Sequence, residues 1–142
     1  MSFVDASVIV AILNEEPGFE ELEKRLSDAD GKLCVSPLVR FEAVAALTRL
    51  RIIATKGKAD RSDLIGEARE LVDSFIQALS ASEVTIDSHT GVRALDAMAR
   101  YGKVAGHPAA LNLGDCFAYA AAKESGLTLI YKGNDFSQTD LG

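Results

Sequence analysis

Short apolar runs alternate along this chain with longer segments in which apolar residues recur at every third or fourth position. The runs are typical of buried strands, and the longer segments are typical of amphipathic helices. The strand-like runs occupy residues 3–4, 33–35, 84–86 and 127–131. Because helical segments separate them, we predict an α/β fold in which a mainly parallel sheet is flanked by helices.

Five helices are predicted, over residues 17–26, 38–54, 61–79, 88–101 and 113–124. Ser88 and Asn112 are expected to cap the fourth and fifth of them. Residues 8–13 fit a strand, because several are β-branched, or a helix capped by Asp5 or Ser7. The second and third helices are predicted from residues that recur at helical spacing. In the second helix these are Leu38, Phe41, Ala45, Thr48 and Ile52, and in the third they are Leu64, Ala68, Leu71, Phe75 and Leu79, which share one face.

The composition is that of a globular domain, with 142 residues of which 48% are hydrophobic and 25% charged. This length predicts a single domain over residues 1–142. No apolar segment approaches the roughly 20 residues that span a bilayer, and the first residues lack the pattern of a signal peptide. The two cysteines, Cys34 and Cys116, lie in apolar segments. We therefore expect reduced, buried thiols, a cytoplasmic location and no membrane partner.

Charge is distributed unevenly along the chain. The net charge of -6 argues against a general nucleic-acid coat protein, which needs a basic face. Between Arg40 and Arg61, however, six basic residues accompany only two acidic ones. This segment either steers a polyanion toward an acidic site or is an ordinary solvated helix face.

Several common catalytic motifs are absent. The chain has no glycine-rich dinucleotide loop, no Walker-type phosphate loop and no nucleophile elbow. Its two histidines, His89 and His107, lack the spacing of a zinc site, and we expect both at the surface.

Four acidic residues stand where a phosphate-cleaving metal site needs them. Asp5 and Asp135 follow strand-like runs, whereas Glu42 and Asp115 lie near the starts of helices. Such positions converge at one edge of an open α/β sheet, and hard divalent cations bind carboxylate oxygens. Each residue also has an ordinary structural explanation: a helix cap for Asp5, an exposed helix position for Glu42, a capping box for Asp115 and a turn for Asp135.

Longer segments around these acidic residues resemble a known family. Residues 3–11 (FVDASVIVA), the helix that carries Glu42, residues 112–120 (NLGDCFAYA) and residues 129–140 (LIYKGNDFSQTD) are similar to PIN domains. More narrowly, they are similar to VapC, the ribonuclease toxins of prokaryotic toxin–antitoxin pairs. The resemblance extends over essentially the whole chain and implies a three-layer PIN-like fold.

The resemblance implies that Asp5, Glu42, Asp115 and Asp135 form the catalytic site, with Mg²⁺ or Mn²⁺ held by Asp5 and Asp115. Asp135 replaces an acidic residue that many PIN domains carry at the position of Gly133, and Asp140 is a second candidate for this fourth position. Ser7 and Thr139 match small hydroxyl residues that line the family's site.

The implied activity is metal-dependent endonucleolytic cleavage of RNA, which leaves a 5′-phosphate and a 3′-hydroxyl. The implied partners are an antitoxin similar to VapB, operator DNA through that antitoxin only, and a second copy of the chain. Two alternatives are open at this point. One is a phosphatase similar to the haloacid dehalogenases, which usually carry a second aspartate where this chain has Ser7. The other is a non-catalytic binding module with the PIN fold.

Overall fold

The computed structural model describes all of residues 1–142 and contains four short strands and six helices. In chain order these elements are β1 (Ser2–Val4), α1 (Ala6–Leu13), α2 (Phe19–Asp28), β2 (Leu33–Val35), α3 (Pro37–Ala54), α4 (Arg61–Ala78), β3 (Ser82–Glu83), α5 (Ser88–Tyr101), α6 (Leu113–Glu124) and β4 (Thr128–Ile130). The predicted α/β fold with a parallel sheet is confirmed. None of the helices is long and apolar enough to cross a membrane.

The four strands form one parallel sheet in the order β3-β2-β1-β4. The chain proceeds from β1 to β2 and β3 in one direction and then returns to the other side of β1 for β4. Because parallel crossovers are right-handed, α1 to α4 cover one face of the sheet and α5 and α6 the other. The strand order reverses between β1 and β4, and sheets of this type place their sites beyond the carboxyl ends of the strands at such a point.

The ambiguous segment after β1 is helical. Asp5 has extended backbone geometry, and its side chain accepts the N–H of Ser7, so Asp5 caps α1. Val8 and Ile9 are completely buried. Packing of α1 against the neighbouring helices therefore outweighs the strand preference of its β-branched residues.

The third strand was predicted too far along the chain. β3 covers Ser82–Glu83 rather than residues 84–86, and it pairs with Cys34 and Val35. The N–H of Val84 still binds the carbonyl of Val35 at 2.8 Å. β2 ends there, because Ser36 caps α3 and Pro37 begins it. The pairing of β3 with β2 thus stops because β2 has no further residue to pair, although residues 84–86 have high strand propensity.

The apolar residues that recur at helical spacing in α3 and α4 are not all buried. Phe41 in α3 is 71% exposed and Leu71 in α4 is 41% exposed. Burial mainly follows steps of four residues. Val39, Ala43 and Leu47 are buried in α3 together with Thr48, and Leu64, Ala68, Val72 and Ile76 are buried in α4. Both helices have apolar residues on a second face, so the sequence pattern alone did not identify the face that packs inward. The cap of α5 differs too: Asp87, one residue before Ser88, accepts the N–H of Thr90.

Candidate active site

Asp5 lies at the carboxyl end of the central strand β1 and is only 7% exposed. Its backbone N–H donates to the carbonyl of Ile130 in β4 at 3.0 Å. The hydroxyl of Ser7 donates to Asp5 Oδ2 at 2.5 Å, and the N–H of Ser7 donates to the same oxygen at 3.1 Å. Ser7 Oγ in turn accepts the N–H of Lys132, just after β4, at 3.0 Å. Ser7 therefore fixes the Asp5 carboxylate at the junction of the two strands.

Asp115 lies in the first turn of α6, as the predicted Asn112 cap requires. Asn112 Oδ1 accepts the N–H of Asp115 at 2.9 Å, and Asp115 Oδ2 accepts the N–H of Asn112 at 3.1 Å. This reciprocal capping box sets the position of the carboxylate at the start of the helix. The structural explanation offered for Asp115 from its sequence is thus correct, and it places the residue beside the other acids.

Glu42 projects from α3 onto the first turn of α6. Its carboxylate lies directly against Gly114, where a Cβ atom would overlap the carboxylate oxygens. The absence of a side chain at Gly114 therefore allows Glu42 to approach the residue next to Asp115. The positive end of the α6 dipole partly offsets the negative charge there. No sequence pattern points to Gly114 separately, because its partner Glu42 is about 70 residues away.

Asp135 belongs to the C-terminal loop, residues 131–142, which follows β4. The aspartate itself is exposed, but the next residue, Phe136, is 1% exposed and packs edge-on against Tyr131 with ring centroids 5.0 Å apart. Burial of this ring holds the loop against the body of the protein. Asp135 is close enough to Asp5 and Asp115 to raise the pKa of both carboxyl groups.

The second candidate for the fourth acid, Asp140, lies in a different environment. Tyr119 donates its hydroxyl to Asp140 Oδ1 at 2.6 Å, and Lys123 Nζ lies 2.7 Å from Oδ2. Thr139 likewise uses its hydroxyl inside the loop, donating to the carbonyl of Phe136 at 2.7 Å and accepting the N–H of Leu141 at 3.1 Å. The geometry therefore brings Asp135, rather than Asp140, together with Asp5, Glu42 and Asp115.

Three of the four carboxyl groups, those of Asp5, Glu42 and Asp115, have raised pKa values. Burial is the main cause in each case, and it raises the pKa of Asp5, that of Glu42 to about 7 and that of Asp115 to about 6. The charges of Asp5 and Asp115 raise the pKa of Glu42 further, and those of Asp135 and Asp5 act on Asp115. We call these four residues the acidic cleft. Perturbed titration of this kind is typical of functional sites.

None of the four acids forms an ion pair with a basic residue, whereas six other ion pairs are present in the protein. The His, Cys, Asp and Glu side chains also form no ready-made cage of three or more metal ligands. The cleft is thus a spread set of oxygen donors with uncompensated negative charge. Such a set suits a hard cation that retains several waters and takes one or two protein carboxylates, as Mg²⁺ does.

Basic residues border the acidic cleft on one side. Between α1 and α3 a cavity of about 420 Å³ is lined by Glu42, Phe41, Arg49 and Lys132, among others. Lys132 pairs with Glu16 at 3.1 Å, whereas Arg49 is exposed and forms no ion pair.

Part of the basic segment seen in the sequence has a structural role. Arg40 binds Asp73 at 3.1 Å and Glu83 at 2.8 Å, and so links α3 to α4 and β3. Neither histidine is part of the acidic cleft. His89 is exposed beside Glu124, and half-buried His107 accepts the N–H of Ala109.

Comparison with known proteins identifies the family. The PIN domain profile matches residues 2–141. A VapC ribonuclease of Rhizobium meliloti (strain 1021) is 99% identical over 142 residues, covering 100% of both chains. Mycobacterium tuberculosis VapC20, a Sarcin-Ricin loop cleaving toxin, has a TM-score of 0.73 at 13% identity, covering 99% of this chain and 95% of that one. A toxin–antitoxin complex from Klebsiella pneumoniae has a TM-score of 0.67 at 15% identity, covering 99% and 94%.

The two solved structures are too distant in sequence to show more than a shared fold. The profile match and the near-identical relative are more informative, because both extend over essentially the whole chain. On this evidence the chain belongs to the PIN-domain family and, within that family, to the VapC ribonucleases.

Proposed function

We propose that the acidic cleft is the catalytic centre of a divalent-metal-dependent endoribonuclease, and that the chain, as a single domain, is the toxin of a toxin–antitoxin pair. One observation carries the assignment of the site. Four carboxylates from four different elements converge at the sheet edge with no basic partner. Mg²⁺ and Mn²⁺ both suit an oxygen-only donor set.

Asp5 and Asp115 are the residues that would hold the metal, with Glu42 and Asp135 completing the site directly or through waters. The chemistry that a divalent ion supplies at such a site is activation of water and neutralisation of charge on the phosphate. The protein contributes the positions of the acids. The Ser7 hydroxyl, for example, orients Asp5 by donating to its Oδ2 at 2.5 Å.

The remaining contributions of the chain concern RNA binding and the products. Arg49, at the border of the cleft, is placed to bind a phosphate of the RNA backbone. We expect products with a 5′-phosphate and a 3′-hydroxyl.

The test is cleavage of 5′-labelled RNA by the purified chain in Mn²⁺ or Mg²⁺, with the same reaction in EDTA as control. Sequencing the RNA ends then gives the target and the end chemistry. Cleavage that continues unchanged in EDTA would contradict a metal-dependent mechanism. Ends with a cyclic 2′,3′-phosphate would exclude the proposed attack by water.

The groove between α1 and α3 is the surface that we propose for the antitoxin. Exposed Phe41 and half-buried Val10 and Ala45 give it an apolar floor, and Glu42 lies at its acidic end. An amphipathic helix with one basic residue fits this surface, since its cation can pair with the Glu42 carboxylate. We expect operator DNA to bind through the antitoxin only, because the chain has a net charge of -6.

Co-expression with the neighbouring antitoxin gene should abolish toxicity, and the purified complex should bind Mn²⁺ more weakly than the toxin alone. Substituting the basic residue of the antitoxin by Gln is the matched control. An antitoxin that silences the enzyme while Mn²⁺ affinity stays unchanged would rule out occupation of the cleft and leave blocked RNA access as the mechanism.

We also propose that the chain forms a homodimer through the face of α5 and α6. Leu95, Val104 and Leu113 are 60%, 87% and 70% exposed around an apolar groove of about 500 Å³. Exposed apolar patches of this kind mark interfaces. Light scattering should give twice the mass of 15.1 kDa. Leu95→Glu should then give the monomer, whereas a wild-type chain that is monomeric at high concentration would contradict the proposal.

A further inference from the structure

We propose that Asp140 is a positioning residue for this reaction: Tyr119 and Lys123 of α6 bind it and so hold the C-terminal loop with Asp135 facing Asp115. We call these three residues the Asp140 anchor. The inference rests on the proposed function, because it concerns how the fourth acid of the cleft is placed. It gives Asp140 a role other than that of a metal ligand.

Both oxygens of Asp140 are engaged by α6. Oδ1 accepts the hydroxyl of Tyr119 at 2.6 Å, and Oδ2 lies 2.7 Å from Lys123 Nζ. The ion pair is partly exposed, so by itself it contributes little. The bond from Tyr119 is better shielded, because that side chain is buried with only 7% exposure. Removing either partner leaves the other oxygen of Asp140 bound, so the anchor can be weakened in steps.

The anchor shares α6 and the C-terminal loop with two residues of the acidic cleft, Asp115 and Asp135. Asp115, Tyr119 and Lys123 follow one another at steps of four residues and therefore share one face of α6. The C-terminal loop carries Asp135 and, five residues later, Asp140. Fixing Asp140 on this helix face therefore restricts where Asp135 can lie relative to Asp115.

The loop between the two aspartates transmits this restriction. Phe136 is 1% exposed, so the start of the segment is held in the core. The N–H of Ser137 donates to the carbonyl of Asn134 at 3.1 Å, and the N–H of Thr139 donates to that of Phe136 at 3.1 Å. These turns shorten and stiffen the connection, so movement of Asp140 away from α6 would carry the loop, and Asp135 with it.

The charges around Asp140 favour the anchored position. A cavity of about 280 Å³ beside it is lined by Arg93, Arg100 and Lys123, with Asp96 as a further acid. In this basic setting the Asp140 carboxylate is compensated. The anchored loop thus places one aspartate among basic residues and the other, Asp135, among acids.

The test measures the Mn²⁺ concentration that gives half-maximal RNA cleavage, together with kcat and KM for RNA. Tyr119→Phe keeps the ring and removes the hydroxyl, and Asp140→Asn keeps an acceptor and removes the charge. We expect each to raise the half-saturating Mn²⁺ concentration by about tenfold, as loss of supporting contacts around metal sites does. Saturating Mn²⁺ should restore kcat, and KM for RNA should stay unchanged.

Two further variants separate positioning from a general loss of stability. Tyr119→Phe/Asp140→Asn should resemble the stronger single variant, because both changes act through one contact. Asp28→Asn is the matched control. It breaks the exposed ion pair with Lys24, whose atoms are 3.3 Å apart, at the end of α2. It should leave the Mn²⁺ dependence as in the wild type.

Titration calorimetry with Mn²⁺ alone repeats the comparison without RNA and distinguishes the two proposals. Equal Mn²⁺ affinity and equal half-saturation in wild type, Tyr119→Phe and Asp140→Asn would overturn the anchor and leave the proposed function intact. A wild-type chain that binds Mn²⁺ but cuts no RNA would overturn the proposed function. The Mn²⁺ affinities of wild type, Tyr119→Phe and Asp140→Asn would still test the anchor in that case. Absence of Mn²⁺ binding to the wild type would overturn both.

Discussion

The acidic cleft and the Asp140 anchor both contain aspartates of the C-terminal loop that face α6, yet the charge of these aspartates is compensated in the anchor and uncompensated in the cleft. In the anchor, the Asp140 carboxylate is bound by a lysine and a tyrosine hydroxyl. In the cleft, none of the four carboxylates has an ion-pair partner, and Asp5 is almost completely buried. Burying uncompensated negative charge costs free energy of folding. This difference is what the two proposals require: a compensated carboxylate can hold the C-terminal loop in place, whereas uncompensated carboxylates leave a site for a cation.

Titration separates the two regions in the same way. Burial acts to raise the pKa of Asp140, but the hydrogen bonds from Lys123 and Tyr119 outweigh it and hold this pKa below the ordinary value. Burial and the neighbouring carboxylates raise the pKa of Asp115 to about 6 and that of Glu42 to about 7. Changes of charge, of geometry and of pH should therefore affect the two regions differently.

The largest effect is expected from removing one charge from the acidic cleft. Asp115→Asn and Asp5→Asn keep shape and capping ability but remove a carboxylate that hard cations prefer. Each should lower RNA cleavage by more than about 100-fold, since even supporting residues of metal sites contribute 10- to 100-fold. A cleavage assay in Mg²⁺ buffer measures this loss.

Asp60→Asn is the matched control for these charge changes. Asp60 caps α4 by accepting the N–H of Asp63 at 3.0 Å, and it lies outside the cleft. Because Asn caps as well as Asp, activity should be unaffected. Full activity of Asp115→Asn or Asp5→Asn would remove the cleft as the catalytic centre.

The second largest effect is expected from a change of geometry without a change of charge. Gly114→Ala adds a Cβ that overlaps the Glu42 carboxylate and must displace it. We expect a loss of activity of between about 10- and 100-fold, because small misplacements at a reaction centre are costly. Glu42→Ala in the same background should add little further loss, since the two residues act through one contact.

Gly66→Ala in α4 is the control for the helix itself. Nothing lies within 4 Å of the added Cβ at this position. It should stabilise the protein by roughly 0.5–1 kcal/mol, because Ala is the better helix former. Urea denaturation measures this gain. If Gly114→Ala behaves like Gly66→Ala and keeps full activity, close approach of Glu42 is not needed for the reaction.

The sequence predicted well those features whose causes are local. The Asn112 cap places Asp115 through contacts three residues apart, and the short apolar run of β2 was identified with its bounds. The end of β3 depends on where its neighbour β2 stops, so it could not be read from residues 84–86 alone. The exposure of Phe41 could not be predicted from its own segment either, because the helices that pack around α3 determine which of its faces is buried.

For the site, the sequence predicted which acids converge but not what holds them together. The approach of Glu42 to Gly114 and the contact of Tyr119 with Asp140 join residues far apart in the chain. No periodicity encodes such pairs. The choice between Asp135 and Asp140 also needed the structure, since both follow the last strand and only their surroundings differ.

A smaller effect is expected from pH in the metal-free protein. Asp115 and Glu42 have ordinary pKa values of 3.8 and 4.5 and folded-state values of about 6 and 7. Between about pH 4 and pH 7 the folded state therefore binds more protons than the unfolded state. The free energy of unfolding should fall as pH rises through this interval and level off above it.

Urea denaturation in EDTA at several pH values measures this dependence. Asp115→Asn with Glu42→Gln should flatten the slope, whereas Asp140→Asn should leave it unchanged, because the pKa of Asp140 is lowered rather than raised. A free energy of unfolding that rises with pH to the same extent in wild type and in the double variant would show that the cleft carries no such electrostatic cost.

Thermal denaturation during a Mn²⁺ titration tests the central claim, that the uncompensated charge of the acidic cleft binds a divalent cation. A ligand present at 100 times its dissociation constant stabilises the folded state by about 2.7 kcal/mol. The melting temperature of the wild type should rise with Mn²⁺, and that of Asp115→Asn should rise much less, with Asp60→Asn following the wild type. An identical rise in all three proteins, or no rise in any, would contradict the account.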